Sequence, residues 1–124
     1  MRRLVDAMNV IGTRPDGWWK DRHGAMVRLV ERIERWAAAS GEEVTVVFEG
    51  EPEPEIESKL IAVAYAPQPG SDAADDEIVR LLEDDPDPGR VTVVTSDHAL
   101  VDRVRELGAT VEPAASFRRR LDEA

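Results

Sequence analysis

At 124 residues the chain has room for one domain with a real core and is too short for two. Apolar residues make up 42% and charged residues 34%, no apolar run approaches the ~20 residues of a membrane helix, and the absence of cysteine excludes disulfides and thiolate metal sites. The net charge of −10 weighs against a polyanionic partner, but it is unevenly spread: residues 1–36 hold eight Lys/Arg and five Asp/Glu (+3), residues 37–124 eight and twenty-one (−13).

The opening Met1-Arg2-Arg3 leads through a short β-like run into Asp6 rather than into the long apolar stretch of a signal peptide, so a cytoplasmic, membrane-free protein is expected. Residues 3–8 read as a buried strand, and residues 9–22 as a long loop carrying Gly12, Pro15, Asp16 and Gly17. Met26, Leu29, Val30, Ile33, Trp36 and Ala37 recur at helical spacing, predicting a helix from about His23 to Ala39 that Gly41 stops. Val44–Phe48 is a β-branched, central second strand and Leu60–Ala66 a third. The acidic stretch 49–59 between them is near the lower limit for a parallel crossover, so the third strand is either parallel or an antiparallel edge. A helix over Asp72–Asp84 follows, capped by Ser71 or Asp72 and ended by the proline-bearing run to Gly89. Val91–Thr95 is a fourth strand. Ser96 is placed to cap a helix running to Leu107 and closed by Gly108, Thr110–Glu112 is a short fifth strand, and a C-terminal helix carries Phe117 and Leu121.

Strands alternating with helices imply a single α/β domain with a doubly wound, mainly parallel sheet and helices on both faces. Such sheets bind ligands beyond the carboxyl ends of their strands. Three aspartates fall there. Asp6 ends the first strand. Asp75 shares a helix face with Ile78, Val79 and Leu82, and Asp97 one with Leu100, Val101 and Val104, so both head stripes that pack on the sheet. Acid in a helix's first turn is also favoured by the dipole alone. Carboxylates converging without cations repel, unless a divalent metal neutralises them. Asp76 reads as an i, i+4 partner of Arg80 before it reads as a ligand. Asn9 suits a turn as well as it suits holding Asp6. Arg14, Lys20, Arg22 and His23 form a basic cluster beside Trp18 and Trp19, one of which is expected to pack under the loop and the other to offer a face to a base. Arg118-Arg119-Arg120 reads as a solvated helix face. Neither a phosphate-cradling glycine loop nor a zinc site can be built, with two histidines (His23, His98) and no cysteine. Ser96 has no partners for a nucleophilic triad.

The segment Asp6-Ala7-Met8-Asn9-Val10-Ile11-Gly12, with Arg14-Pro15-Asp16-Gly17-Trp18-Trp19-Lys20-Asp21-Arg22 after it, resembles the opening of YacP-like NYN-domain proteins of the PIN-like nuclease superfamily. Val46-Val47-Phe48-Glu49-Gly50, Ala74-Asp75-Asp76-Glu77-Ile78 and Thr95-Ser96-Asp97 follow in family order, so the likeness spans nearly the whole chain. The resemblance implies a PIN-like fold and metal-dependent ribonuclease activity. Asp6, Asp75 and Asp97 match the catalytic, metal-binding acids, with Asp76 and Glu49 as further ligands and Asn9 in support. Two positions depart from the pattern: Ala7 replaces a glycine and Glu49 an aspartate. The expectation is an endoribonuclease in which Mg²⁺ or Mn²⁺ activates water against an RNA phosphodiester, with Arg14, Lys20 and Arg22 on flanking phosphates. The alternative is a catalytically inactive PIN-like module that binds RNA or a protein. A phosphotransfer receiver domain fits poorly, since Asp6-Ala7 supplies one acid and no lysine follows Lys59.

Overall fold

The computed structural model describes residues 2–68, 70 and 72–123. Five strands form one sheet: β1 (Arg2–Asp6), β2 (Glu43–Phe48), β3 (Ala62–Tyr65), β4 (Val91–Val94) and β5 (Thr110–Glu112). Their order is β3-β2-β1-β4-β5 and every neighbouring pair is parallel. Five helices connect or flank them: α1 (Ala7–Ile11), α2 (Arg22–Ser40), α3 (Ala73–Glu83), α4 (His98–Glu106) and α5 (Ala114–Glu123).

Two hydrophobic layers explain why both faces are covered. Val5, Val46 and Phe48 pack with Val10, Leu29, Ile33, Trp36, Phe117 and Leu121, which puts α1, α2 and α5 on one face. Leu4, Val47 and Val93 pack with Ile78, Leu82, Leu100 and Val104, which puts α3 and α4 on the other. Alternate residues of β1 and β2 thus feed opposite layers, as a strand buried on both faces must. The chain leaves β1 towards β2 and later returns to lay β4 on its other side. The switch point therefore lies between the carboxyl ends of β1 and β4, where a doubly wound sheet opens a crevice.

Local sequence sets the helix ends. The Asp21 side chain accepts a hydrogen bond from the Gly24 N–H at 3.0 Å, capping α2. A Cβ at Gly24 would lie 2.2 Å from Asp21 Oδ2, so any larger residue there would make the capping carboxylate shift. Gly41, at φ 74°, closes the helix in the left-handed conformation.

Several expectations need correction. The first strand stops at Asp6, because Ala7, Val10 and Ile11 share a buried face and wind residues 7–11 into α1 inside the expected loop. Trp18–Lys20 add a short 3-10 turn. The third strand is shorter than expected, with Leu60 exposed, and it is parallel. Its crossover from β2 contains no helix. Pro52, Ile56 and Ile61 are buried in it, and it is pinned to α2 by Ser58 Oγ donating to Glu34 (2.7 Å) and by His23 Nε2 on the Pro54 carbonyl (2.7 Å). Asp72 occupies the N-cap position of α3 without a side-chain cap bond, and Ser71 lies outside the described residues.

Candidate active site

Asp6 ends β1 and is 6% exposed. Thr95, the residue after β4, donates its hydroxyl to Asp6 Oδ2 at 2.9 Å, and Thr95 Oγ1 in turn accepts the Asp97 N–H at 3.2 Å. Thr95 is thus the joint between the two strand ends. Sequence assigned Thr95 no role of its own beyond the Thr95-Ser96-Asp97 segment; the signal was a hydroxyl residue closing an apolar strand two residues before an acid. Asn9 ties the joint from the other side, its Oδ1 accepting the Ser96 N–H at 2.8 Å. Asn9 therefore holds the β4–α4 loop against α1.

Asp97 caps α4 through Oδ1 and the Leu100 N–H at 3.1 Å. Ser96, expected in that role, instead accepts the Ala114 N–H at 2.9 Å and starts α5. Asp75 lies in the first turn of α3, the helix that crosses β1 and β2 and meets α4.

The three aspartates share one electrostatic environment. Burial, followed by the negative charge of Asp97 and Glu49, raises the Asp6 carboxyl from 3.8 to about 6, against the hydrogen bond from Thr95 and the nearby backbone N–H of Asn9. Burial, then Asp97, Asp6 and Asp72, raises Asp75 to about 6 as well, and Arg103 offsets part of this. Among the described residues none of the three forms an ion pair. The switch point thus concentrates negative charge that no ion pair among the described residues neutralises.

This donor set is all oxygen, which suits a hard divalent cation that keeps several of its waters. Asp6, Asp75 and Asp97 are the residues that could hold it. Among the described residues no three acidic or histidine side chains stand close enough to grip an ion directly, so part of the coordination would pass through water.

The remaining expected residues are more dispersed. Glu49 lies just past β2, half exposed, with its Oε1 3.2 Å from Arg22 Nη2. Asp76 faces outward onto Arg103 Nη1 at 2.9 Å, whereas Arg80, its expected partner, holds Glu77 and Asp84. Ala7 is fully buried as the first residue of α1. Arg22 begins α2 and lies over the Trp18 ring, 5.4 Å from its centroid. Lys20 is exposed beside it. Arg14 does not join them: it pairs with Asp122 of α5. The tryptophans divide as expected, Trp18 packing on the core and Trp19 remaining 52% exposed. A cleft of about 600 Å³ opens beside Glu49, lined by Met8, Arg22, His23, Met26 and Phe48.

A family model described as YacP-like NYN domain matches residues 3–124. Among solved structures the chain is similar to Rae1 (YacP) from Bacillus subtilis, with TM-score 0.82 and 22% identity over 99% of this chain and 74% of that one. A point mutant of the same protein aligns with TM-score 0.79 and 22% identity over 98% and 75%. No curated protein matches the sequence.

Proposed function

Given that the chain belongs to the YacP-like NYN domain family, a nuclease-type domain, we propose that it is a metal-dependent endoribonuclease whose centre is Asp6, Asp75 and Asp97. The observation that carries this reading is the set of three mutually repelling carboxylates at the β1/β4 switch point, two of them raised to about 6 and none ion-paired among the described residues. A purely structural arrangement gains nothing from such repulsion, whereas a cation site requires it.

Mg²⁺ or Mn²⁺ bound there would acidify a water and stabilise charge developing on the phosphodiester. The protein's own residues prepare the place. Asp6 and Asp75, ionised above about pH 6, supply the attracting charge. Thr95 and Asn9 fix Asp6 and the β4–α4 loop relative to each other, which limits reorganisation during reaction. Glu49 and Asp76 serve as outer acids, Glu49 at a site where Arg22 can exchange it for a phosphate. Arg22 and Lys20 contact phosphates flanking the cut, and the exposed face of Trp19 accepts a base.

The wide spacing of the acids favours a second reading, a module that binds RNA without cutting it. One experiment separates the two. Labelled single-stranded RNA is incubated with Mn²⁺, Mg²⁺ or EDTA, using wild type and Asp6→Asn. Cleavage that requires metal and disappears in the variant supports the nuclease. RNA bound in EDTA and never cut supports the binding module.

A further inference from the structure

The basic residues that sequence grouped into one loop divide in the folded chain, and Arg14 joins a different assembly. Arg14 from the loop after α1, Arg28 and Arg32 from α2, and Arg118 from α5 gather around a small hollow of about 50 Å³, whose lining includes Arg28, Arg32, Arg118, Asp16 and Trp18. Two carboxylates stand among these four guanidiniums, and among the described residues Arg28 pairs with neither. Asp122 takes Arg14 and, at 3.1 Å, Arg32. Asp16 stands 3.8 Å from Arg118 Nη2. The local balance is +2 in a chain of net charge −10. Elsewhere the pairing is tighter, with Arg80 held by Glu77 and Asp84 and Arg103 by Asp76.

Arg118 marks the deficit. Its side chain is 11% exposed, against the solvated helix face expected from its sequence. Its Nε is buried without a hydrogen-bond partner, the nearest Asp122 oxygen being 3.7 Å away. Burial, with Arg32 and Arg14 next to it, also weakens its hold on its proton. Leaving such a donor unpaired is costly unless an anion completes it.

A series of neighbouring side chains links the hollow to the acids. Trp18 lines it, carries Arg22 over its ring, and meets Trp19 edge-on with centroids 5.8 Å apart. Arg22 in turn reaches Glu49, whose charge acts on Asp6. We propose that the Arg14–Arg28–Arg32–Arg118 hollow grips a backbone phosphate of single-stranded RNA whose strand reaches the acidic centre over Trp19 and Arg22. This rests on RNA being the substrate or ligand, and not on its being cut.

The test is binding in EDTA, which keeps it separate from cleavage. Dissociation constants of a labelled RNA of roughly 12 nucleotides, within the usual single-strand site sizes, are measured against salt for wild type and Arg28→Gln/Arg32→Gln. The double variant should bind about tenfold more weakly at low salt. Its log–log salt slope should fall by about 0.7–1.4, the signature of one or two lost phosphate contacts. A trinucleotide, too short to span both places, should bind both proteins equally. Unchanged affinity and slope for the longer RNA, or equal weakening of the trinucleotide, would overturn the proposal. So would inorganic phosphate raising the wild-type Tm alone while RNA affinity is unaffected, since the hollow would then serve free anions. Circular dichroism checks the fold, and Arg28→Gln, which removes no ion pair formed among the described residues, provides the fallback variant. If wild type binds RNA and never cuts it, the nuclease assignment fails while the salt slope still decides the hollow.

Discussion

At the scale of single residues, burial and charge conflict most directly at Asp6. Its carboxyl titrates near 6 in the folded chain against 3.8 as a free group, so the native state holds the proton more tightly than the unfolded one. The stability this contributes is complete below pH ~4 and is lost as pH rises through 6. The loss amounts to about 3 kcal/mol at neutral pH, one pKa unit being ~1.4 kcal/mol. Asp6→Asn keeps an oxygen for the Thr95 hydroxyl and removes the charge. In EDTA it should therefore be more stable than wild type at pH 7 by about 1–3 kcal/mol, and equal to it near pH 4. Urea unfolding at the two pH values measures this, and an equal destabilisation at both would refute the burial argument. Asp75 acts in the same direction, and greater solvent access makes its share smaller. Asp6 was legible in the sequence because a charge ending an apolar strand is conspicuous. Thr95 was not, because its importance lies in a partner 89 residues away.

At the scale of elements, Asp97 carries two roles on one side chain, capping α4 and adding charge to the site. Substitution separates them. Asp97→Asn retains an acceptor for the Leu100 N–H and should change stability by less than about 0.5 kcal/mol while abolishing metal-dependent cleavage. Asp97→Ala removes the cap as well and should destabilise by about 1 kcal/mol. Thermal unfolding and the RNA assay on both variants check this; full activity in the Asn variant would reduce Asp97 to a helix cap. The long elements α2, α3 and α4 were readable from their apolar periodicity. The five-residue α1 was not, since Ala7, Val10 and Ile11 span too little chain for a period to show. Nor could the β2–β3 crossover be read, because its support comes from α2 through Glu34 and His23 rather than from any helix of its own.

At the scale of the whole molecule, a buried ionic network ties the sheet to the helices around it. Arg3 of β1 donates to Glu112 of β5 at 2.7 Å and to Glu42 at 3.0 Å, and lies 5.2 Å over the Trp36 ring. Glu112 also accepts from Arg120 at 2.6 Å. Removing one partner strands a buried charge, so Glu112→Leu should destabilise by about 3–5 kcal/mol. Arg3→Met/Glu112→Leu should recover most of that loss, because an apolar pair needs no counter-charge. Urea unfolding of the single and double variants reads this coupling, and purely additive losses would show that the network is not a unit. No helix among the described residues is long and apolar enough to cross a membrane.

Sequence alone determined the alternation of strands and helices, the mainly parallel character of a sheet whose third strand it left open, and the expectation that Asp6, Asp75 and Asp97 lie near strand ends. These follow from local periodicity and turn chemistry, which act over a few residues. The tertiary structure decided the strand order β3-β2-β1-β4-β5, which brings Asp6 and Asp97 to adjacent strand ends. It also decided that Ser96 serves α5, that Asp76 meets Arg103, and that Arg14 leaves the basic cluster and Arg118 the solvated face expected of them. The reason is physical: which charges meet depends on how chain segments far apart in sequence pack, and a buried donor such as Arg118 Nε becomes visible only once that packing has closed around it.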